Sequence, residues 1–235
     1  LEEASLLPAK IVKNQVFGKQ FHTICSGGAY LDPKYIDMFK KYGIVIQQGY
    51  GMTECSPVIS ISQRWNIRSD SVGQLVPNCE AKTVDGELWV KGSSVMQGYY
   101  KMPQETAETL EDGWLKTGDL GYVDEEGFVY LTGRKKNLII TKNGENVSPE
   151  ELENALSGNR LVGEVLVREK GGVIEAEIYP DQDYVKRKRV KDVRAALQEV
   201  IDAYNRTAAP QKKIYSLIVR DKEFEKTTTR KIKRF

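Results

Sequence analysis

The 235-residue chain is poor in the residue types that announce metal or nucleophile chemistry. It has one histidine, His22, and three cysteines, Cys25, Cys55 and Cys79. Nothing near His22 completes a triad, so it reads as a packed or partly exposed histidine rather than a general base. Cysteines 30 and 24 residues apart fit neither a disulfide framework nor a zinc site. Cys55 reads as small-residue packing rather than a redox switch. A reducing compartment, the cytoplasm, is the expectation. No apolar run approaches the roughly 18 residues a membrane span requires. Residues 1–20 carry acids and no signal-type apolar core, so secretion is not indicated. Charge of one sign is lacking too: 35 Lys and Arg against 33 Asp and Glu leave +2, too balanced to point to nucleic acid. A hydrophobic share of 40% excludes a chain disordered throughout.

What is present falls into three textures. Residues 1–70 begin with a helix and its exit at 1–18, then a short strand, Phe21–Cys25, running into Ser26-Gly27-Gly28-Ala29. Asp32 and Pro33 open a helix that Gly43 ends. Ile44-Val45-Ile46 reads as a strand buried on both faces, as in a parallel sheet. It empties into Gly49-Tyr50-Gly51-Met52-Thr53-Glu54, which puts both glycine loops at strand carboxyl ends, where open α/β sheets bind ligands. Residues 71–135 carry short alternating runs and turn signals, the pattern of a small β-barrel. Residues 136–235 read as α+β: a capping box at Ser148-Pro149-Glu150-Glu151, a hairpin turning at Gly171-Gly172, and a long amphipathic helix over Val190–Tyr204. Lys186–Arg189 reads as the solvated start of that helix, with a nucleic-acid or acidic-lipid patch as the alternative.

In Gly49–Glu54 the glycines let backbone N–H groups approach an anion, and Tyr50 offers a flat face. Thr53 can bond a phosphate oxygen, and Glu54 supplies a hard oxygen for Mg²⁺. Alone, such a loop reads more readily as a tight turn. In Trp114-Leu115-Lys116-Thr117-Gly118-Asp119, the Asp119 carboxylate can accept from a pair of ribose hydroxyls, or simply form an Asx-turn. Gly133-Arg134-Lys135-Lys136 reads as a basic step, and Asn143-Gly144-Glu145-Asn146 as a flexible loop.

In this order the motifs resemble the adenylate-forming superfamily of acyl-CoA synthetases, luciferases and adenylation domains, and within it bacterial long-chain fatty-acid–CoA ligases. The resemblance runs from about Ser26 to Arg234. It implies the end of an α/β catalytic domain with a small β-barrel subdomain, then a hinge, then a mobile α+β C-terminal domain. It also implies ATP, Mg²⁺ and CoA as cofactors and a fatty acid as substrate. Gly27, Gly28 and Ala29 would line the adenine site, with Gly49 and Gly51 in the adjoining loop, and Tyr50 would stack on the base. Thr53 would touch the α-phosphate, Glu54 would ligate Mg²⁺, Asp119 would hold the ribose, and Arg134 would sit on ribose or phosphate. Lys136 matches the hinge, and Gly144 falls in the loop lining the pantetheine tunnel. Lys231 matches the adenylation lysine, although Arg230 stands where the family has glycine, which keeps Lys233 as a rival.

The family's phosphate loop, ending Pro-Lys-Gly, does not occur in the sequence. The expectation is therefore the C-terminal piece of a longer ligase, inactive alone, with apolar surface exposed on residues 1–65. Peripheral association with the inner membrane is a further expectation. Other adenylate formers (aryl-CoA ligase, acyl-AMP ligase, amino-acid adenylation domain) are the first competitors, and a polyanion-binding module the second. The last predicts steeply salt-dependent binding.

Overall fold

Asp32 starts the first complete helix: its carboxylate accepts the Lys34 N–H at 2.9 Å, and Pro33 occupies the first turn of α1 (Pro33–Lys41). Gly43, at φ +69°, donates to the Lys40 carbonyl and ends it, a conformation that costs glycine least. The computed structural model describes residues 9, 11–228 and 232–234. The chain divides into two units, Leu1–Leu131 and Thr132–Phe235.

In the first unit, α1 connects β1 (Thr23–Gly27) to β2 (Val45–Gly51), and the two strands are parallel from Thr23↔Val45 to Gly27↔Gly49. β3 (Val58–Ile61) and β4 (Gln74–Leu75) follow antiparallel, giving the sheet order β1-β2-β3-β4. β2 is not buried on both faces as its apolar start implies. Ile46, Gln48 and Tyr50 are buried while the residues between them are half-buried. Gln48 is tolerated inside because its amide donates to the carbonyls of Ser69 and Ser71.

The rest of the unit is a curled half-barrel sheet. β5 (Cys79–Val84), β6 (Glu87–Gly92), β7 (Leu110–Glu111), β8 (Trp114–Val123) and β9 (Val129–Arg134, whose last three residues belong to the second unit) are ordered β5-β6-β8-β7, with β9 on β8. Helix α2 (Pro103–Thr109) precedes β7. Backbone bonds from Val72 to Val129 and from Val129 to Gly73 tie β9 to the approach to β4. Tyr50, Cys55, Ile59, Leu88, Val90, Leu115 and Val129 form the shared core.

The second unit closes a core of its own. A hairpin of β10 (Ile139–Ile140) and β11 (Asn146–Val147) leads into α3 (Pro149–Ser157). Asn143–Asn146 is therefore a hairpin turn, held by Thr141 N–H to Glu145 O and Gly144 N–H to Thr141 O, rather than a flexible loop. β12 (Val162–Lys170) and β13 (Val173–Pro180) are antiparallel around Gly171-Gly172. β14 (Ser216–Val219) lies parallel to β13. Leu152, Leu156, Val167, Ala176, Ile178, Leu197 and Ile201 are buried between sheet and helices.

Two further expectations are corrected in this unit. Ser148 does precede α3, but its side chain caps no helical N–H. Its hydroxyl donates to Glu150 at 3.0 Å, so no capping box forms. The basic run Lys186–Arg189 is not the start of the long helix. It ends a separate short helix, α4 (Gln182–Lys188), broken at Arg189 with φ 53°. α5 (Val193–Thr207) starts afresh at Asp192, whose carboxylate accepts the Ala195 N–H. No helix among the described residues is long and apolar enough to cross a membrane.

Candidate functional site

Tyr50 and Asp119 lie 69 residues apart in sequence, and the first unit brings them together. The Tyr50 hydroxyl donates to Asp119 Oδ2 at 2.7 Å, in a buried contact. Their exposures are 8% and 4%. The Tyr50 ring belongs to the core cluster, so the phenol is fixed by packing at one end and by a carboxylate at the other.

A bulge aims Asp119. Between the pairs Glu87↔Leu120 and Trp89↔Lys116, β6 has one residue, Leu88, and β8 has three, Thr117–Asp119. The extra length is held closed by three bonds. Thr117 Oγ1 donates to Leu88 O at 2.7 Å, Gly118 N–H to Glu87 Oε1 at 2.9 Å, and Asp119 N–H to Thr117 Oγ1 at 3.1 Å. Gly118 takes φ +70°, which glycine adopts without penalty. Bulges re-aim side chains in this way. Glu87 and Thr117 are thus positioning residues that sequence reasoning missed. The signal was present, since a glutamate in an otherwise apolar Leu88-Trp89-Val90 strand needs a partner.

The two glycine loops meet at the ends of β1 and β2. Gly27 is opposite Gly49, and a Cβ on Gly27 would stand 2.9 Å from the Gly49 carbonyl. A Cβ on Gly51 would lie 1.8 Å from the Pro57 carbonyl oxygen, so no side chain fits there. Gly28 and Ala29 are exposed beyond β1. Thr53 and Glu54 sit on the single 3-10 turn Thr53–Cys55 that follows β2.

That turn is latched to the segment after β6. Met96 N–H donates to the Glu54 carbonyl at 2.8 Å, and the Tyr99 hydroxyl donates to Glu54 Oε1 at 2.7 Å. The bond to Glu54 holds the Tyr99 phenol above its ordinary pKa. Tyr99 is a third positioning residue the sequence did not single out. Next to Glu54, burial pushes the Cys55 thiol up to about 12, which keeps it protonated and unreactive at neutral pH. Among the described residues no group of three His, Cys, Asp or Glu side chains could hold a metal by itself. Glu54 would have to share an ion with phosphate oxygens and water, the pattern Mg²⁺ favours.

The other expected residues belong to the second unit. Arg134 ends β9 and precedes the 3-10 turn Lys135–Asn137, which contains Lys136; Arg134 and Lys136 are exposed. A Cβ on the preceding Gly133 would meet Ser148 Oγ at 2.1 Å, which accounts for glycine in the Gly-Arg step. Gly144, at φ +79°, is exposed in the β10–β11 turn. Lys231 lies outside the described residues; Lys233 is described and exposed.

Two family models match, one in each unit: AMP-binding enzyme over residues 4–100, and AMP-binding enzyme C-terminal domain over residues 136–235. The chain belongs to the AMP-binding enzymes. Its relatives in this family include a long-chain-fatty-acid–CoA ligase of Mycobacterium bovis, 43% identical over 60% of this chain and 24% of the relative. The long-chain-fatty-acid–CoA ligase of Bacillus subtilis is 35% identical over 89% of this chain and 39% of the relative. Among solved structures, the o-succinylbenzoate CoA synthetase of Bacillus subtilis with its acyl-adenylate intermediate OSB-AMP matches with TM-score 0.76 and 30% identity. That match covers 89% of this chain and 44% of the synthetase. The chain spans about a quarter to two fifths of the length of these ligases.

Proposed function

We propose that the chain is the C-terminal part of an ATP-dependent acid–thiol ligase that converts a long-chain fatty acid through acyl-AMP to acyl-CoA. The observation that carries this is the Tyr50–Asp119 bond. It joins two motifs distant in sequence at one buried point, beside the glycine loops where α/β sheets take ligands.

In this reading Tyr50 stacks on the base, Asp119 accepts from the ribose hydroxyls, and the Tyr50 hydroxyl fixes which carboxylate oxygen faces them. Gly27, Gly28, Ala29, Gly49 and Gly51 keep side chains out of the path of the base and phosphates, Thr53 bonds the α-phosphate, and Arg134 adds a cation. Mg²⁺ held at Glu54 would neutralise charge on the phosphoryl oxygens. Lys231, as a cation, bridges carboxylate and phosphate during adenylation. It then withdraws as the second unit turns about Lys136, and Gly144 comes to line the path of CoA. The enzyme works in the cytoplasm, with a peripheral contact to the membrane that supplies its acyl chains.

The test has two arms. The isolated 235-residue chain should show no ATP–pyrophosphate exchange, since most of the acyl pocket and the phosphate loop are outside it; exchange there would refute the reading of a piece inactive alone. In the longer enzyme, Lys231→Ala should abolish adenylation and spare thioester formation from supplied acyl-adenylate, whereas equal loss of both would remove Lys231 from its role. A second reading, an aromatic-acid CoA ligase, draws on the likeness to o-succinylbenzoate CoA synthetase; comparing palmitate and benzoate as substrates of the longer enzyme separates the two.

A further inference from the structure

We propose that Arg234, seated in a two-carboxylate socket on α3, is the positioning residue that holds the Lys231-bearing tail and ties it to the neighbour of the pivot Lys136. The inference deepens the ligase reading and rests on it for the role of Lys231.

The tail is paired on either side of residues 229–231. Lys233 N–H donates to the Glu225 carbonyl at 2.8 Å, and Lys226 bridges antiparallel to Ile232. The first limb is fixed to β12: Phe224 N–H donates to Glu164 Oε2 at 2.8 Å, and the Lys226 ammonium pairs with the same carboxylate. The second limb is fixed by Arg234 alone among the contacts described for residues 232–234 that reach α3. Its guanidinium makes two bonds to Glu153, at 2.9 and 2.5 Å, and a third contact to Glu150 at 3.3 Å.

Most surface ion pairs hold little, but this one is built differently. The side chains of Glu153 and Arg234 are 13% and 20% exposed, and the pairing is the two-pronged kind that only a guanidinium makes. Both carboxylates are also engaged elsewhere. Glu153 Oε1 accepts the Val167 N–H at 2.7 Å. Glu150 accepts Asn137 Nδ2 at 2.5 Å and Ser148 Oγ at 3.0 Å. Glu150 therefore touches both Arg234 and Asn137, the residue after Lys136. One turn of α3 binds the end of the tail and the start of the unit, so the two move as one body. A lysine that must sit between two anions loses much of its effect when misplaced by about an ångström. Only Ile232 and Lys233 separate it from Arg234.

Hydrogen exchange in this chain reads the clamp directly. Arg234→Ala should speed exchange of the Lys233 amide roughly tenfold or more, and Arg234→Lys by less, since a single ammonium replaces the fork. Unchanged exchange in both overturns the clamp. In the longer enzyme, Arg234→Lys should lower ATP–pyrophosphate exchange while thioester formation from supplied acyl-adenylate stays at the wild-type rate. If both half-reactions fall together, Arg234 supports the fold and positions nothing, and the proposal fails. If the wild-type enzyme shows no pyrophosphate exchange at all, the ligase reading fails, while the exchange of the Lys233 amide still decides the clamp.

Discussion

The two units solve the burial problem differently. In the second, sheet and helices enclose one core in which Val147, Leu152, Ala176, Ile178 and Leu197 have no exposed surface. In the first, the half-barrel is filled, but the β1–β4 sheet and its helices leave Phe17, Tyr35, Met38, Val58, Ile61 and Trp65 exposed. The functional motifs follow the same division. Tyr50 and Glu54 stand at the carboxyl end of β2, in the sheet with apolar surface open, and Tyr50 bonds Asp119 of the half-barrel, while the tail is pinned to a finished core. In the proposed reading, the site that takes the nucleotide is built where burial is incomplete, and the element that delivers Lys231 is built where it is not.

That contrast can be broken by mutation. Leu152→Ala, fully buried in the second unit, should cost about 2–5 kcal/mol, whereas Ile61→Ala, 39% exposed, should stay within about 0.5–1 kcal/mol. Urea unfolding measures both. Equal losses would mean that the β1–β4 face is covered in solution and the contrast is false.

Gly51→Ala probes the open region from within. Its Cβ would meet the Pro57 backbone, so the Gly49–Glu54 loop must shift, at about 1–3 kcal/mol. A substitution without effect on stability would show that the loop is looser than its contacts.

A smaller effect is expected from pH in the closed region. Burial, the leading cause, raises the Glu153 pKa despite the opposing Arg234. The folded chain then binds that proton more tightly than the unfolded one, so this group's contribution to stability falls as pH rises from the ordinary carboxylate range through the raised value. Glu153→Gln should flatten that slope in urea midpoints taken across pH; an unchanged slope would contradict the burial. Least in energy, but simplest, is alkylation at neutral pH: exposed Cys25 should react and Cys55, held near 12, should not.

Much of this was legible in the sequence. Asp32-Pro33 and Gly43 bracket α1 because capping and left-handed backbone are local chemistry. The Gly171-Gly172 hairpin followed from turn signals between apolar runs. The ordered motifs pointed to the family before any coordinates. What stayed hidden depends on distant partners. Ser148 looks like a helix cap until Gly133 and Glu150 are placed around it. Lys186–Arg189 looks continuous with α5 until the left-handed Arg189 breaks it. Tyr99 meets Glu54 across 45 residues, and no periodicity encodes that. The Thr117–Asp119 bulge exists only as a mismatch between two strands.

The account rests on Tyr50 and Asp119 forming one nucleotide grip, and titration calorimetry of AMP into this chain tests it most directly. Wild-type chain should bind AMP, and Asp119→Asn should weaken binding roughly tenfold or more, the loss expected for a charged acceptor of hydroxyl donors. Equal affinities for the two chains, or no binding of AMP by the wild type, would contradict it.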